Sequence, residues 1–96
     1  MRQRYIVTYD ISDPKRLRQV FKTMKGFGRH LQFSVFSCDL AAVALVRLKI
    51  ALNEVIDSLH DQVLIIDIGP SEGRAAEAIE SLGRRAYLAA PPPKVV

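Results

Sequence analysis

The sequence contains no tryptophan and one cysteine, Cys38, among its 96 residues. A lone cysteine forms no intrachain disulfide and cannot build a cysteine-based zinc cage, so we expect Cys38 to be a small buried hydrophobe. The chain also lacks a CxxC pair, a phosphate-binding glycine loop and a serine, histidine and acid arrangement. These absences exclude the common redox, P-loop and nucleophilic sites, and any chemistry must depend on other residues.

Long hydrophobic runs are missing as well. The longest apolar stretch, residues 40–52, contains Arg47 and Lys49. It is much shorter than the roughly 20 apolar residues that a bilayer-spanning helix needs. No small-residue cleavage site precedes the first strand-like segment, so no secretory signal is predicted. We therefore expect a cytoplasmic protein that makes no contact with a membrane.

The chain has a mass of 10.8 kDa and a hydrophobic content of 49%, which predicts one globular domain over residues 1–96. A domain this small leaves much of its surface exposed unless a partner covers it, and a dimer is the simplest such partner. The net charge is +4, but residues 1–30 alone carry +6 and the remainder −2. This asymmetry predicts a surface that binds phosphate, with a plain solvated helix face as the alternative.

The first predicted strand covers Gln3–Asp10 and carries apolar side chains on both faces. One face holds Tyr5, Val7 and Tyr9, and the other holds Arg4, Ile6, Thr8 and Asp10. Asp13 and Pro14 then predict a helix start, with Asp13 as the capping side chain. The helix buries Leu17, Val20, Phe21 and Met24 and exposes a basic face.

The later elements are predicted with less regular patterns. Residues 31–39 form one strand or two short ones, residues 40–59 form a second helix capped by Asp39 and closed by His60, and residues 62–68 form a strand. Residues 71–82 favour a short helix over an extended segment, and residues 90–96 form an extended tail that is a candidate edge strand at a dimer interface. This order predicts an α+β, ferredoxin-like fold: a split βαβ pattern with an antiparallel sheet, two helices on one face and an extra C-terminal strand.

Three blocks of sequence resemble one known family. They are residues 9–13 (YDISD), residues 32–36 (QFSVF) and residues 61–69 (DQVLIIDIG), and their order and separation also match. On these blocks the chain resembles the small CRISPR-associated spacer-acquisition proteins of the Cas2 family over residues 3–69. Beyond residue 69 the resemblance is looser, although residues 79–83 look like the family's late strand. The resemblance implies the same ferredoxin-like fold.

The resemblance also implies a homodimer and two alternative roles. One is a metal-dependent endoribonuclease or DNase, in which Asp10 from each chain shares Mg²⁺ or another divalent cation such as Mn²⁺. The other is a non-catalytic adaptor that binds double-stranded DNA and bridges two copies of the larger CRISPR integrase subunit. The same residues serve both roles, and the sequence leaves both open.

The candidate site combines Asp10 with basic and aromatic residues. The resemblance implies that Asp10 is the catalytic and metal-binding residue. A lone aspartate is a poor site for Mg²⁺, which takes one or two carboxylates with waters, but a two-fold axis would add Asp10 of a second chain. The predicted nucleic-acid contacts are Lys15, Arg16, Arg18, Arg29 and His30, where His30 takes a position that many family members fill with arginine. The predicted supporting residues are Tyr9, Ser34 and Phe36. Asp67 is interpreted as structural, because its strand runs antiparallel to the first and places Asp67 at the far end of the sheet.

Overall fold

A computed structural model describes residues 1–84 of the chain. The described part contains four strands, two α-helices and one short 3₁₀ helix at Arg74–Glu77. The strands are β1 (Gln3–Asp10), β2 (Arg29–Gln32), β3 (Val35–Leu40) and β4 (Gln62–Pro70), and the helices are α1 (Pro14–Lys25) and α2 (Ala42–Asn53). The predicted tail at residues 90–96, with its candidate edge strand, lies outside the described residues.

The four strands form one sheet in the order β2-β3-β1-β4, and every neighbouring pair is antiparallel. This is the split βαβ arrangement of ferredoxin-like folds, so the predicted fold class is confirmed. β1 occupies the interior of the sheet, with β3 on one side and β4 on the other. The register opposes Asp10 to Gln62 and Tyr5 to Asp67, which puts Asp10 and Asp67 at opposite ends as predicted.

Both helices cover the same face of the sheet. On the helix side of β1, Val7 and Tyr9 are buried, and Phe36 and Cys38 continue this layer on β3. The helices close the core with Val20, Met24, Leu48 and Leu52. Burial raises the pKa of the Cys38 thiol to about 12, which keeps it protonated and agrees with the prediction of a buried hydrophobe.

The other face of the sheet, called here the open face, is also apolar. It carries Ile6, Thr8, Val35, Leu64 and Ile66, which the register places side by side on three neighbouring strands. The side chains of Leu64 and Ile66 remain 47% and 45% exposed. The prediction that β1 has two apolar faces therefore holds in the structure, with one face buried by the helices of the chain itself.

Residues 31–39 form two strands, which decides between the alternatives that the sequence left open. Phe33 and Ser34 make the turn between β2 and β3, and Phe33 has a positive φ of 25° and is 93% exposed. A bulky residue rarely adopts this backbone region, which explains why no turn signal was visible in the sequence.

The second helix is shorter than predicted, and both of its predicted end residues are wrong. α2 begins after Ala41, while Asp39 belongs to β3 and pairs with Arg4. α2 ends at Asn53, so His60 is too far along the chain to satisfy its carbonyls and instead bonds Asp57 at 3.0 Å. Continuous apolar periodicity across residues 40–59 hid the break, because a turn that partly buries Val55 and Ile56 keeps the same pattern.

Residues 71–84 contain little regular structure. The predicted helix at residues 71–82 is reduced to the 3₁₀ helix, which buries Ala75, while Leu82 is 95% exposed. Residues 79–83, which resemble a late strand, are not in a strand here. Neither α-helix within residues 1–84 has the length and apolar character needed to cross a membrane.

Gly28 is required where the chain passes from α1 to β2. A Cβ at this position would lie 2.5 Å from Cys38 Sγ and 2.5 Å from the carbonyl oxygen of Ser37. The Ser37 contact involves backbone of the adjacent strand, which cannot rotate away. A side chain at residue 28 therefore forces β2 and β3 apart.

We predict that Gly28→Ala lowers the free energy of unfolding by about 1–3 kcal/mol, as overpacking in a tight core does. Gly26→Ala is the matched control, because a Cβ there meets only the carbonyl oxygen of Thr23 at 3.4 Å. Urea denaturation of both variants measures the difference. Equal midpoints for the two variants would contradict the prediction.

Candidate functional site at the Asp10 end of the sheet

Asp10 is the last residue of β1, and its side chain is exposed. Strand alternation places it on the open face, in line with Ile6 and Thr8. Within residues 1–84 the structure records no hydrogen bond or ion pair for the Asp10 carboxylate. A carboxylate that is exposed, unoccupied by protein donors and attached to a rigid central strand is suited to binding a ligand.

A second carboxylate near this end of the sheet, that of Asp61, is buried and hydrogen-bonded. The side chain of Asp61, the residue before β4, has an exposed fraction of 0%. Its Oδ1 accepts hydrogen bonds from Ser12 N at 3.0 Å, Ser12 Oγ at 3.1 Å and Arg16 Nη2 at 3.2 Å. Its Oδ2 accepts from Arg16 Nε at 2.8 Å and Asp57 N at 2.8 Å. Asp61 therefore joins the β1–α1 loop, α1 and the turn before β4.

The electrostatics of this cluster favour the ionised pair. The hydrogen bond from Arg16 is the main cause that holds the pKa of Asp61 well below its usual range, and the bonds from Asp57 and Ser12 act in the same direction. In return, the hydrogen bond to Asp61 raises the pKa of Arg16. Two parallel bonds between a guanidinium and a carboxylate fix the orientation of both groups.

The local sequence explains why the loop folds onto Asp61. Asp13 caps α1 by accepting a hydrogen bond from Arg16 N at 2.9 Å, and Pro14 takes a first-turn position, both as predicted. The cap fixes the first turn of α1, and Arg16 lies on the side of the helix that faces the turn before β4. The backbone that connects Asp10 to α1 is thus held at Ser12 and at Asp13.

The predicted basic contacts are divided between three places. Lys15 and Arg18 are exposed on α1, whose first turn follows the Asp10 end of β1 by three residues. Arg16 is engaged by Asp61, which the sequence did not indicate. Arg29 lies half-buried on the edge strand opposite Ser37, on the open face. The structure therefore brings Lys15 and Arg18 together and leaves Arg29 apart from them.

His30 and the predicted supporting residues meet on the helix side of the sheet. The His30 ring contacts Phe36 with a centroid distance of 5.0 Å and Phe21 with 5.1 Å, and its Nε2 donates to the carbonyl oxygen of Phe33 at 2.7 Å. Phe36 is fully buried and stacks on Tyr9 at 6.3 Å. These contacts give His30 and Phe36 packing roles that support the turn at Phe33.

Tyr9 and Ser34 connect this aromatic group to β1. Burial is the main cause that raises the pKa of Tyr9, against a hydrogen bond with Ser34 that lowers it. Tyr9 N also donates to the carbonyl oxygen of Ser34 at 3.1 Å. The turn between β2 and β3 is thereby attached next to Asp10, although none of these side chains shares the open face with it.

The opposite end of the sheet carries its own ion pair. Arg4 contacts Asp39 through Nε at 2.7 Å and Nη2 at 3.1 Å, and Ser71 Oγ donates to Asp39 at 2.7 Å. Partial burial raises the pKa of Asp39, but the hydrogen bonds from Arg4 and Ser71 outweigh it, so the pKa lies below its usual value. Asp67 accepts from Gln3 and from Gly69 N, which fits a structural role.

A divalent cation at this end of the sheet would depend on Asp10. Within residues 1–84, no group of three or more His, Cys, Asp and Glu side chains is arranged to hold a metal ion. Asp10 is one available carboxylate per chain, and Mg²⁺ takes one or two carboxylates and completes its shell with waters. The Asp10 carboxylate fits that requirement when two chains each supply one.

Sequence reasoning missed Asp61, the most extensively bonded carboxylate at the site. A usable signal was present, because the predicted antiparallel pairing of the first and last strands places the residue before one strand near the residue after the other. A carboxylate before β4 is thus expected close to Ser12 and the first turn of α1.

Three kinds of similarity to known proteins were found. The model of the family described as CRISPR associated protein Cas2 matches residues 1–74. The CRISPR-associated endoribonuclease Cas2 1 of Rhodospirillum rubrum is 50% identical over 80 residues, covering 83% of this chain and 78% of the relative. The CRISPR-associated endoribonuclease Cas2 of Geobacter sulfurreducens is 43% identical over 84 residues, covering 88% and 87%.

Solved structures show the same similarity. The crystal structure of Streptococcus pyogenes Cas2 at pH 6.5 superposes with a TM-score of 0.73 at 32% identity, covering 83% of this chain and 99% of that chain. A hypothetical protein, TT1823 from Thermus thermophilus, has a TM-score of 0.74 at 30% identity and covers 88% and 94%. Sequence and fold thus point to the same set of proteins.

The two carboxylates that pair with arginine predict a loss of stability in acid. The pKa values of Asp61 and Asp39 are lowered on folding from the unfolded value of about 3.9, so their stabilisation is present above that pH and is lost as pH falls. Urea midpoints measured from about pH 5 to about pH 2 should therefore decrease, and Asp61→Asn should flatten this decrease. Asp10→Asn is the control, and an equally steep decrease in Asp61→Asn would contradict the assignment.

Proposed function

The chain belongs to the CRISPR-associated protein Cas2 family, and from this membership we propose that it is a metal-dependent endoribonuclease that acts as a homodimer. Two similar proteins, from Rhodospirillum rubrum and Geobacter sulfurreducens, carry the name CRISPR-associated endoribonuclease Cas2. The single observation that carries the proposal is the state of Asp10. Its carboxylate is exposed at the end of the central strand and has no protein partner within residues 1–84.

In this proposal, Asp10 holds Mg²⁺ or Mn²⁺ together with Asp10 of a second copy. When bound, such a cation lowers the pKa of a water ligand and stabilises the negative charge that develops on a phosphodiester. Asp10 contributes a negatively charged oxygen ligand from a rigid strand, which needs no rearrangement on binding. Lys15 and Arg18 supply positive charge near the start of α1 and attract the phosphate backbone.

The homodimer is supported by the open face of the sheet. Leu64 and Ile66 expose nearly half of their side chains, and Ile6, Thr8 and Val35 extend the same patch. An exposed apolar patch on a sheet face is typical of an interaction surface. A second copy is the occupant we propose, because an isologous interface around a two-fold axis that runs parallel to β1 would bring Asp10 of both chains to the same end of the dimer.

A second function, a non-catalytic adaptor, is supported by a different observation. Within residues 1–84, no group of three or more His, Cys, Asp and Glu side chains is arranged to hold a metal ion, so a single carboxylate per chain is a sparse catalytic arrangement. In that case the basic residues of α1 bind double-stranded DNA, and the dimer bridges two copies of the larger CRISPR integrase subunit. The two functions make opposite predictions for substitution of Asp10.

For the nuclease, we predict that Asp10→Asn abolishes Mg²⁺-dependent cleavage of single-stranded RNA, because it removes the charged ligand from both chains of the dimer. Binding of the RNA should change little, since it depends on the basic side chains. Cleavage is measured by gel analysis of end-labelled RNA with and without chelator, and binding by fluorescence anisotropy. Asp67→Asn is the matched control, because the Asp67 carboxylate accepts hydrogen bonds from Gln3 and Gly69 N at the far end of the sheet.

Cleavage that persists in excess chelator, or in Asp10→Asn, would contradict the nuclease assignment. Absence of cleavage in the unmodified protein, combined with DNA binding and unchanged spacer acquisition by Asp10→Asn in cells, would support the adaptor instead.

For the dimer, we predict that Ile66→Glu converts the protein to a monomer with the chain mass of 10.8 kDa. The substitution places a charge within the apolar patch of the open face, where it would lose its hydration on association. Val46→Glu is the matched control, since Val46 is 54% exposed on α2, away from this face. Multi-angle light scattering at micromolar concentration measures the mass. A monomeric unmodified protein, or a dimer in both variants, would contradict this interface.

A further inference from the structure

Asp61 and Arg16 form the most tightly connected charged pair near the candidate site. Five hydrogen bonds reach the two oxygens of one carboxylate whose exposed fraction is 0%. A carboxylate offers about four lone-pair sites, so Asp61 has no capacity left for a metal ion or a water ligand. Its function must be exerted through the groups that it binds.

Those groups surround the backbone that leaves Asp10. Ser12, two residues after Asp10, gives both its N–H and its hydroxyl to Asp61. Gln62, one residue after Asp61, lies directly opposite Asp10 in the β1–β4 register. Asp61 is therefore connected to Asp10 in two ways. One is the pairing of β1 with β4, and the other is the loop that follows Asp10.

Arg16 completes this connection from α1. Its Nε and Nη2 bond Asp61 at 2.8 and 3.2 Å, and its Nη2 also reaches Ser12 Oγ at 3.2 Å. The guanidinium is thus bonded to two residues of the protein, and the Arg16 side chain is only 26% exposed. Lys15 and Arg18, in contrast, are exposed on the same helix.

We propose that Asp61 and Arg16 are positioning residues that hold the β1–α1 loop, and through it the Asp10 carboxylate, in the orientation that binds the divalent cation, and that Arg16 does not contact phosphate. This proposal rests on the proposed metal-dependent function. It assigns phosphate binding to Lys15 and Arg18. Partners that orient a metal ligand commonly change metal affinity by 10–100-fold when they are replaced.

The test of positioning uses the full chain and compares three variants. Asp61→Asn removes the charge and turns amide hydrogens toward the donors of Arg16 and Asp57. Arg16→Lys keeps the charge but loses the two-pronged bond, and it is the milder variant if Asp61→Asn does not fold. Asp67→Asn replaces an aspartate at the far end of β4 and is the control.

Two measurements test the positioning of the loop and of Asp10. Amide hydrogen exchange by NMR should show faster exchange of Ser12 N–H in Asp61→Asn and Arg16→Lys. Mn²⁺ binding, followed by electron paramagnetic resonance, should weaken about 10-fold in these variants and remain unchanged in Asp67→Asn. Faster Ser12 exchange with unchanged Mn²⁺ affinity would overturn the proposal, because the loop would then be structural only.

A third measurement tests whether Arg16 contacts phosphate. On duplex DNA, each lost phosphate contact reduces the slope of log affinity against log salt by about 0.9. Arg18→Met should reduce this slope, and Arg16→Met should leave it unchanged. A reduced slope in Arg16→Met would overturn the assignment. No Mn²⁺ binding in the unmodified protein, or full binding in Asp10→Asn, would instead reject the proposed metal site, and the positioning role with it.

Discussion

The antiparallel pairing of β1 with β4, in the register that places Asp10 opposite Gln62, determines which groups meet at each end of the sheet. At one end it brings Asp61 beside Ser12 and the start of α1. At the other it brings Gln3 beside Asp67, with the Arg4–Asp39 pair on the neighbouring strand. A shift of the pairing by one residue would reverse the two faces of β4 and remove both the core contacts of Ile65 and the apolar open face.

Asp61 and Asp10 lie near the same end of the sheet but have opposite environments. Asp61 is fully buried, paired with Arg16 and strongly favoured in its ionised form, whereas Asp10 is exposed with no partner within residues 1–84. A buried ion pair contributes little net stability compared with apolar packing, but it specifies geometry because removing one partner leaves a costly unpaired charge. Asp61 thus fixes the loop, and Asp10 remains available to a ligand.

The sequence predicted the fold from local patterns, and it predicted Asp10 from its position and from family resemblance. Alternation in residues 3–10 identified both faces of β1, and the Asp13-Pro14 start of α1 was confirmed, because capping and periodicity depend on neighbouring residues. The predicted end of α2 was wrong because the prediction used only local periodicity, and an apolar turn continues the helical pattern. The metal, the dimer and the nucleic-acid contacts remain predictions.

Local patterns are enough to predict the order of β1, α1, α2 and β4, the two apolar faces of β1, and a carboxylate at the end of that strand. The partners of the charged side chains depend on the tertiary structure. In the sequence, Arg16 looks like one of several exposed basic residues. In the folded protein it pairs with Asp61, which lies 45 positions away along the chain. His30 similarly becomes part of an aromatic group with Phe21 and Phe36. Such contacts depend on cross-strand register and helix placement, which are set by packing of the whole core rather than by any local pattern.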